Sequence, residues 1–149
     1  MPEFNFPYKE ISYSTLRGAC IGVILGGGYH VLLGTSQGSS VATVAQRGGH
    51  AAMRLSVLLG GYTFLRGTIK SMVGTDALAC LGAGGTVVAI ATMGDSARRA
   101  NLSQYFSKIL SQGNRAPPLH LVVVSSFASG ALTLGGVDLA LRHGLGVTW

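Results

Sequence analysis

The chain has 149 residues, enough for one domain, with 11% charged residues and a mean hydropathy of +0.44, where soluble proteins carry about 25% charged residues. Its formal charge of +6 comes from 11 Lys and Arg against 5 Asp and Glu. These lie at the margins of apolar runs without the aromatic interleaving of a nucleic-acid groove, so contact with anionic headgroups explains them better. The 23 glycines follow no collagen period and sit inside apolar runs, which excludes low-complexity disorder and makes them packing residues.

The polar head MPEFNFPYKEISYS contains Glu3 and Glu10 and has neither an Arg-rich amphipathic face nor a secretory apolar region, so no cleavable presequence is expected. An organellar protein of this kind would carry its address internally. The first span is predicted over residues 14–34. Within it Gly18, Gly22 and Gly26 recur every four positions, the small-xxx-small stripe of a membrane helix that packs closely on another. In water each glycine would cost the helix about 1 kcal/mol relative to alanine. In a bilayer unpaired backbone is costlier still, and the helix persists. Its apolar part, 18–34, is 17 residues long, at the lower limit for crossing about 30 Å of hydrocarbon, with Arg17 snorkelling at one end. The stretch TSQGSSVATVAQRGG reads as a linker.

The second span, 51–73, is interrupted by Arg54, Arg66 and Lys70. At helical spacing Arg54, Leu58, Tyr62, Arg66 and Lys70 form one ridge whose ends would lie in opposite headgroup regions, with Ser56, Gly60, Gly61, Thr63 and Gly67 as small packing residues. Asp76 opens the third span, 76–94, whose uncharged part of 18 residues ends at Asp95. Gly82, Gly84 and Gly85 invite comparison with a dinucleotide-binding loop, but Val87 stands where the third glycine of GxGxxG belongs and no strand ending in an acid follows. In the next, polar segment, Leu102, Tyr105, Phe106, Ile109 and Leu110 oppose Arg98, Arg99 and Lys108. It reads as an amphipathic helix on the membrane surface or on a partner, or as a solvated loop helix, ended by Pro117 and Pro118. The fourth span, 119–141, has Ser125, Ser126, Ser129 and Gly130 as its small face and Asp138 near its exit. Trp149 closes the chain, where an indole suits an interface.

The predicted fold is therefore an all-α membrane protein: one domain over 1–149, a four-transmembrane-helix bundle with Gly-rich packing faces, and an amphipathic helix between helices 3 and 4. The contact faces are assigned to Gly18, Gly22 and Gly26, to Gly60, Gly61 and Gly67, to Gly82, Gly84 and Gly85, and to Ser126 and Gly130. Four spans put both termini on one side. Arg47, Arg54, Arg98, Arg99, Lys108 and Arg115 then face Lys9, Arg17, Arg66, Lys70 and Arg142 across the membrane, a small bias that leans toward termini outside.

Arg17, Arg66, Lys70, Asp76 and Asp138 fall toward the terminus side, where a structural charge cluster satisfying the two acids is expected rather than a transport path. Arg47, Arg54, Arg98 and Arg99 on the other side would hold a cardiolipin headgroup or a partner's acid, or simply express the positive-inside bias. His30, His50, His120 and His143 lie in four regions without ligand spacing, so no metal is expected. Ser125, Ser126 and Ser129 lack a nucleophile turn and read as interhelical hydrogen-bonding residues. Cys20 and Cys80 each lie about one turn into a helix from the same side. If those helices touch, a disulfide facing an oxidising compartment is geometrically allowed, free buried cysteine being the ordinary state.

Four short Gly-rich spans, a basic second helix and an acid opening the third resemble the mitochondrial inner-membrane preprotein translocase family. That family signature has a base, an acid four residues on, then six residues, a small residue and glycine. Asp76, Ala83 and Gly84 fit it, whereas Met72 stands at the base position with Lys70 nearest, and Val88 replaces a later glycine. Tyr13-Ser14-Thr15 and Tyr29-His30-Val31 further resemble the branch of the family that serves as accessory subunits of respiratory complex I, which has arginine where His30 stands. The resemblance covers the four spans. It implies a non-catalytic, cofactor-free subunit of the mitochondrial inner membrane with termini toward the intermembrane space. Its implied partners are membrane-arm subunits of NADH:ubiquinone oxidoreductase and phospholipids including cardiolipin. Preprotein translocase subunits, or a related solute channel, are the alternative.

Overall fold

The computed structural model describes residues 7–97, 99–101, 104 and 119–146. Apart from the turns and caps between them, these residues are helical, without strands. They form α1 (Tyr8–Ser36), α2 (Val41–Val73), α3 (Asp76–Gly94), α4 (Leu119–Gly130), a π-helical turn (Ala131–Gly135) and α5 (Gly136–Leu145). α1, α3 and the continuous run Leu119–Leu145 are each long and apolar enough to cross a membrane. The chain thus has the helices of a multi-pass membrane protein. Of the predicted amphipathic segment, only residues 95–97, 99–101 and 104 are described, and Leu102, Tyr105, Phe106, Ile109, Leu110, Arg98 and Lys108 lie outside the described residues.

Contacts divide the chain into two compact units, one up to Gly74 and one from Thr75 onward. In the first, α1 and α2 form an antiparallel hairpin. Gly38, at φ 63°, makes the turn, and Ser40 caps α2 by accepting from the Thr43 amide at 3.4 Å. A left-handed glycine and an N-cap serine are what such a turn requires. The hairpin is held at small residues. A Cβ on Gly18 would come within 2.9 Å of the Leu59 carbonyl oxygen, and one on Gly26 within 2.6 Å of that of Ala51. On Gly22 it would land on the Leu55 carbonyl. Backbone therefore lies on backbone along the middle of α1, a separation that only residues without side chains permit. Ile11 seats beside Gly67, and Val44 beside Gly34, at the two ends.

Two boundaries differ from the sequence expectation. The helix of α1 begins at Tyr8, and residues 41–49, expected to be linker, already belong to α2. The cap at Ser40 starts that helix, and its Gly48 is buried near His30 on α1. Contact with a neighbouring helix outweighs the weak propensity of Gly48 and Gly49. α2 is also too polar to count among the spanning helices by composition. Gly74, at φ 77°, ends it, its amide bonded to the Lys70 carbonyl at 2.9 Å.

In the second unit α3 packs antiparallel against the run from α4 to α5. Ala79, Cys80 and Ala83 are fully buried. A Cβ on Gly84 would lie 2.6 Å from both the Gly130 carbonyl oxygen and the Gly135 nitrogen, and one on Gly135 would lie 2.5 Å from the Cys80 carbonyl oxygen. Beside Gly85 stands the Phe127 ring, 2.7 Å from such a Cβ. Unlike backbone, that ring can swing aside, being 42% exposed. Gly85→Ala should accordingly cost only about 1 kcal/mol, measured by SDS titration of helicity in mixed micelles. The loss should vanish in a Phe127→Ala background.

The fourth span is not the uninterrupted helix expected. The π turn interrupts it, and α5 continues to Leu145, where Gly146 at φ 64° caps it. Most large apolar side chains point outward. Ile24 is 70% exposed, Leu32 73% and Leu132 74%, each forgoing the roughly 1.5–3 kcal/mol that burial from water would supply. Hydrocarbon around these faces removes that penalty.

Candidate functional site

The polar groups of these helices are mostly turned inward on their own backbone. Thr15, Thr63, Thr68, Thr86, Ser126 and Thr133 each donate a hydroxyl to the carbonyl four residues back, at 2.7–3.0 Å. Ser125 does the same three residues back, also to Val122. The interhelical bonding expected of Ser125 and Ser126 is thus corrected to intrahelical bonding, their hydroxyls taken up by the Val122 carbonyl one turn back on the same helix. Ser129 is exposed.

One buried polar cluster joins two helices. Asp138, 4% exposed, accepts from Arg142 Nε at 2.8 Å through Oδ1 and from the Cys80 thiol at 3.4 Å through Oδ2. The Arg142 side chain is itself 12% exposed. The partners arise from two simple spacings. Asp138 and Arg142 are four apart on α5, within pairing range. Cys80 lies one turn into α3, on the face that also carries Ala79, Ala83 and Gly84. A thiol donor and a guanidinium together balance the buried carboxylate.

The sequence reading grouped Asp138 with Arg17, Arg66, Lys70 and Asp76. The structure places Arg17 exposed, Arg66 half-buried and Lys70 exposed in the first unit, and Asp76 half-buried at the start of α3. The bonds from Arg142 and Cys80 were not anticipated, although the four-residue spacing of Asp138 and Arg142 was a readable signal. Cys20 and Cys80 are free thiols, the first exposed and the second buried.

Of the residues assigned to contact faces, Gly18, Gly22, Gly26, Gly60, Gly84, Gly85, Ser126 and Gly130 are buried, and Gly61, Gly67 and Gly82 half-buried. Arg47, His50 and Arg54 are exposed along one side of α2, at helical spacing. At the hairpin end a cleft of about 20 Å³, room for about one water, is lined by His30, Gly34, Gln37, Ser39, Thr43 and Arg47. Arg99 is exposed, and Arg98 lies outside the described residues. Among the described residues no three His, Cys, Asp or Glu side chains gather as metal ligands.

The chain matches no known family model, no curated protein and no solved structure.

Proposed function

We propose that the chain is a non-catalytic accessory subunit of the mitochondrial inner membrane, stabilising the membrane arm of NADH:ubiquinone oxidoreductase. The observation that carries this reading is the division of labour on its helices. Glycines and alanines close each hairpin backbone to backbone, while large apolar side chains face outward, where lipid or larger membrane subunits would cover them. Small residues supply the close approach that helix association in lipid rests on. The residue likenesses at Tyr13–Thr15, Tyr29–Val31, Asp76, Ala83 and Gly84 direct the proposal to this class of assembly.

On this reading α2 also crosses the bilayer. It runs antiparallel beside α1 from Gly67 to Val44, so a membrane that contains α1 contains most of α2. Arg54 and Arg66 are separated by 12 residues, about 18 Å along a helix. Snorkelling carries their charges to the two opposite headgroup layers. Arg47, His50 and Arg54 then face one layer as a basic edge suited to phosphate groups, cardiolipin among them. The termini face the intermembrane space in this orientation.

A preprotein translocase or solute channel subunit is the second reading, favoured by the Asp76, Ala83 and Gly84 spacing alone. A pore calls for a polar strip at mid-membrane depth, whereas the middles of α1 and α3 are mostly Gly, Ala, Val, Ile and Leu, and Thr86 there donates its hydroxyl to the Gly82 carbonyl of its own helix. Co-purification from detergent-solubilised mitochondria separates the two. Complex I subunits should accompany the tagged chain, and recovery with import subunits instead would overturn the assignment.

A further inference from the structure

The buried side of the fourth span runs Val122, Ser126, Gly130, then Gly135, Asp138 and Arg142. Its steps are four, four, five, three and four. The step of five coincides with the π turn. An uninterrupted α-helix advances about 100° per residue. Continued beyond Gly130, it would turn Gly135 and Arg142 more than about 100° away from α3 and bring Val137 and Leu141 within about 20° of the contact line. A π turn absorbs one residue and sets the rest of the helix back by about 100°. In the structure Asp138 is 4% exposed and Val137 56%. The cluster Cys80, Asp138, Arg142 thus exists because of the π turn.

π geometry is rare and appears mostly as single turns within α-helices. Here it is seated on α3, with Gly135 against the Cys80 carbonyl and Gly84, and the register beyond it is marked by the Cys80 thiol on Asp138. Ala79, Cys80, Ala83 and Gly84 make the facing side of α3 small, and in the α register Val137 and Leu141 would take the space that Asp138 and Arg142 now fill. Adjacent Gly135 and Gly136 carry no side chain to block rotation.

We propose that the π turn is a register switch. In the register seen here α5 presents Asp138 and Arg142 to α3. With the turn relaxed to α, α5 rotates by about 100° and presents the same ion pair to the outside of the hairpin, while Val137 and Leu141 take its place. The switch belongs to one hairpin and does not depend on the assembly role proposed for the whole chain.

The test uses the full chain in liposomes with Cys20→Ala and Val137→Cys, oxidised with copper phenanthroline, cleaved with trypsin, and analysed by mass spectrometry without reductant. The readout is the disulfide between residues 80 and 137, linking peptides 71–98 and 116–142. It should be near background in this parent chain. It should rise several-fold on adding Asp138→Asn and, separately, on adding Gly135→Ala, whose Cβ would lie 2.5 Å from the Cys80 carbonyl oxygen. Deleting Leu134 removes the residue that the π turn absorbs and fixes the inward face in α geometry, so neither substitution should raise the linkage in that chain. Linkage that stays at background in both substituted chains, or rises equally without Leu134, would overturn the proposal.

Discussion

Replacing Gly22 by leucine is expected to open the α1–α2 hairpin at a cost of about 3 kcal/mol or more, the upper end of overpacking penalties. The reason is the backbone that the new side chain meets. A Cβ there falls on the Leu55 carbonyl and the Ser56 amide, which are helix backbone and cannot swing away. Gly28, six residues further along the same helix, has nothing within 4 Å of such a Cβ. Gly28→Leu should therefore stay within about 0.5 kcal/mol of wild type, or gain slightly from helix propensity. SDS titration of both variants in mixed micelles reads the difference. Equal stability of the two would show that close approach does not hold this hairpin. On the proposed assembly role, Gly22→Leu should also deplete the assembled complex on native gels of mitochondria without altering any redox centre.

Asp138→Ala should destabilise the second unit by about 3 kcal/mol, the lower end of the cost of breaking a buried ion pair. The loss comes mainly from the Arg142 guanidinium, left in a pocket where its side chain is 12% exposed. Rotation of α5, which carries the guanidinium outward, keeps the loss at that lower end. Asp138→Leu combined with Arg142→Met removes both charges and should recover most of the stability, since apolar residues of similar volume often replace buried pairs without loss. Failure of the double variant to recover would mean that the thiol bond from Cys80, rather than the pair, carries the energy.

Helix class and three of the spans were legible because each depends on a long local signal. Apolar runs of 17 and 18 residues bounded by Arg17, Asp76 and Asp95 leave little choice of structure. The stripe of Gly18, Gly22 and Gly26 also announced a contact face, because three glycines on one side of a helix have no local use. The start of α2 was not legible: Ser39, Ser40, Gly48 and Gly49 look like linker until α1 supplies a surface for them. Nor was the π turn. Gly130, Gly135 and Gly136 are compatible with either register, and the choice is made by Cys80, 58 residues from Asp138. Local patterns report the chain's own periodicity, whereas that register is decided between helices.

Hydrocarbon, rather than water, surrounds the outward faces of these helices, and the roles assigned to their glycines and charges rest on that medium. Its most direct test is alkaline carbonate extraction of membranes containing the full chain, followed by sedimentation. The chain is expected to stay in the membrane pellet. Recovery of folded, monodisperse protein in the aqueous supernatant would contradict a lipid-embedded chain.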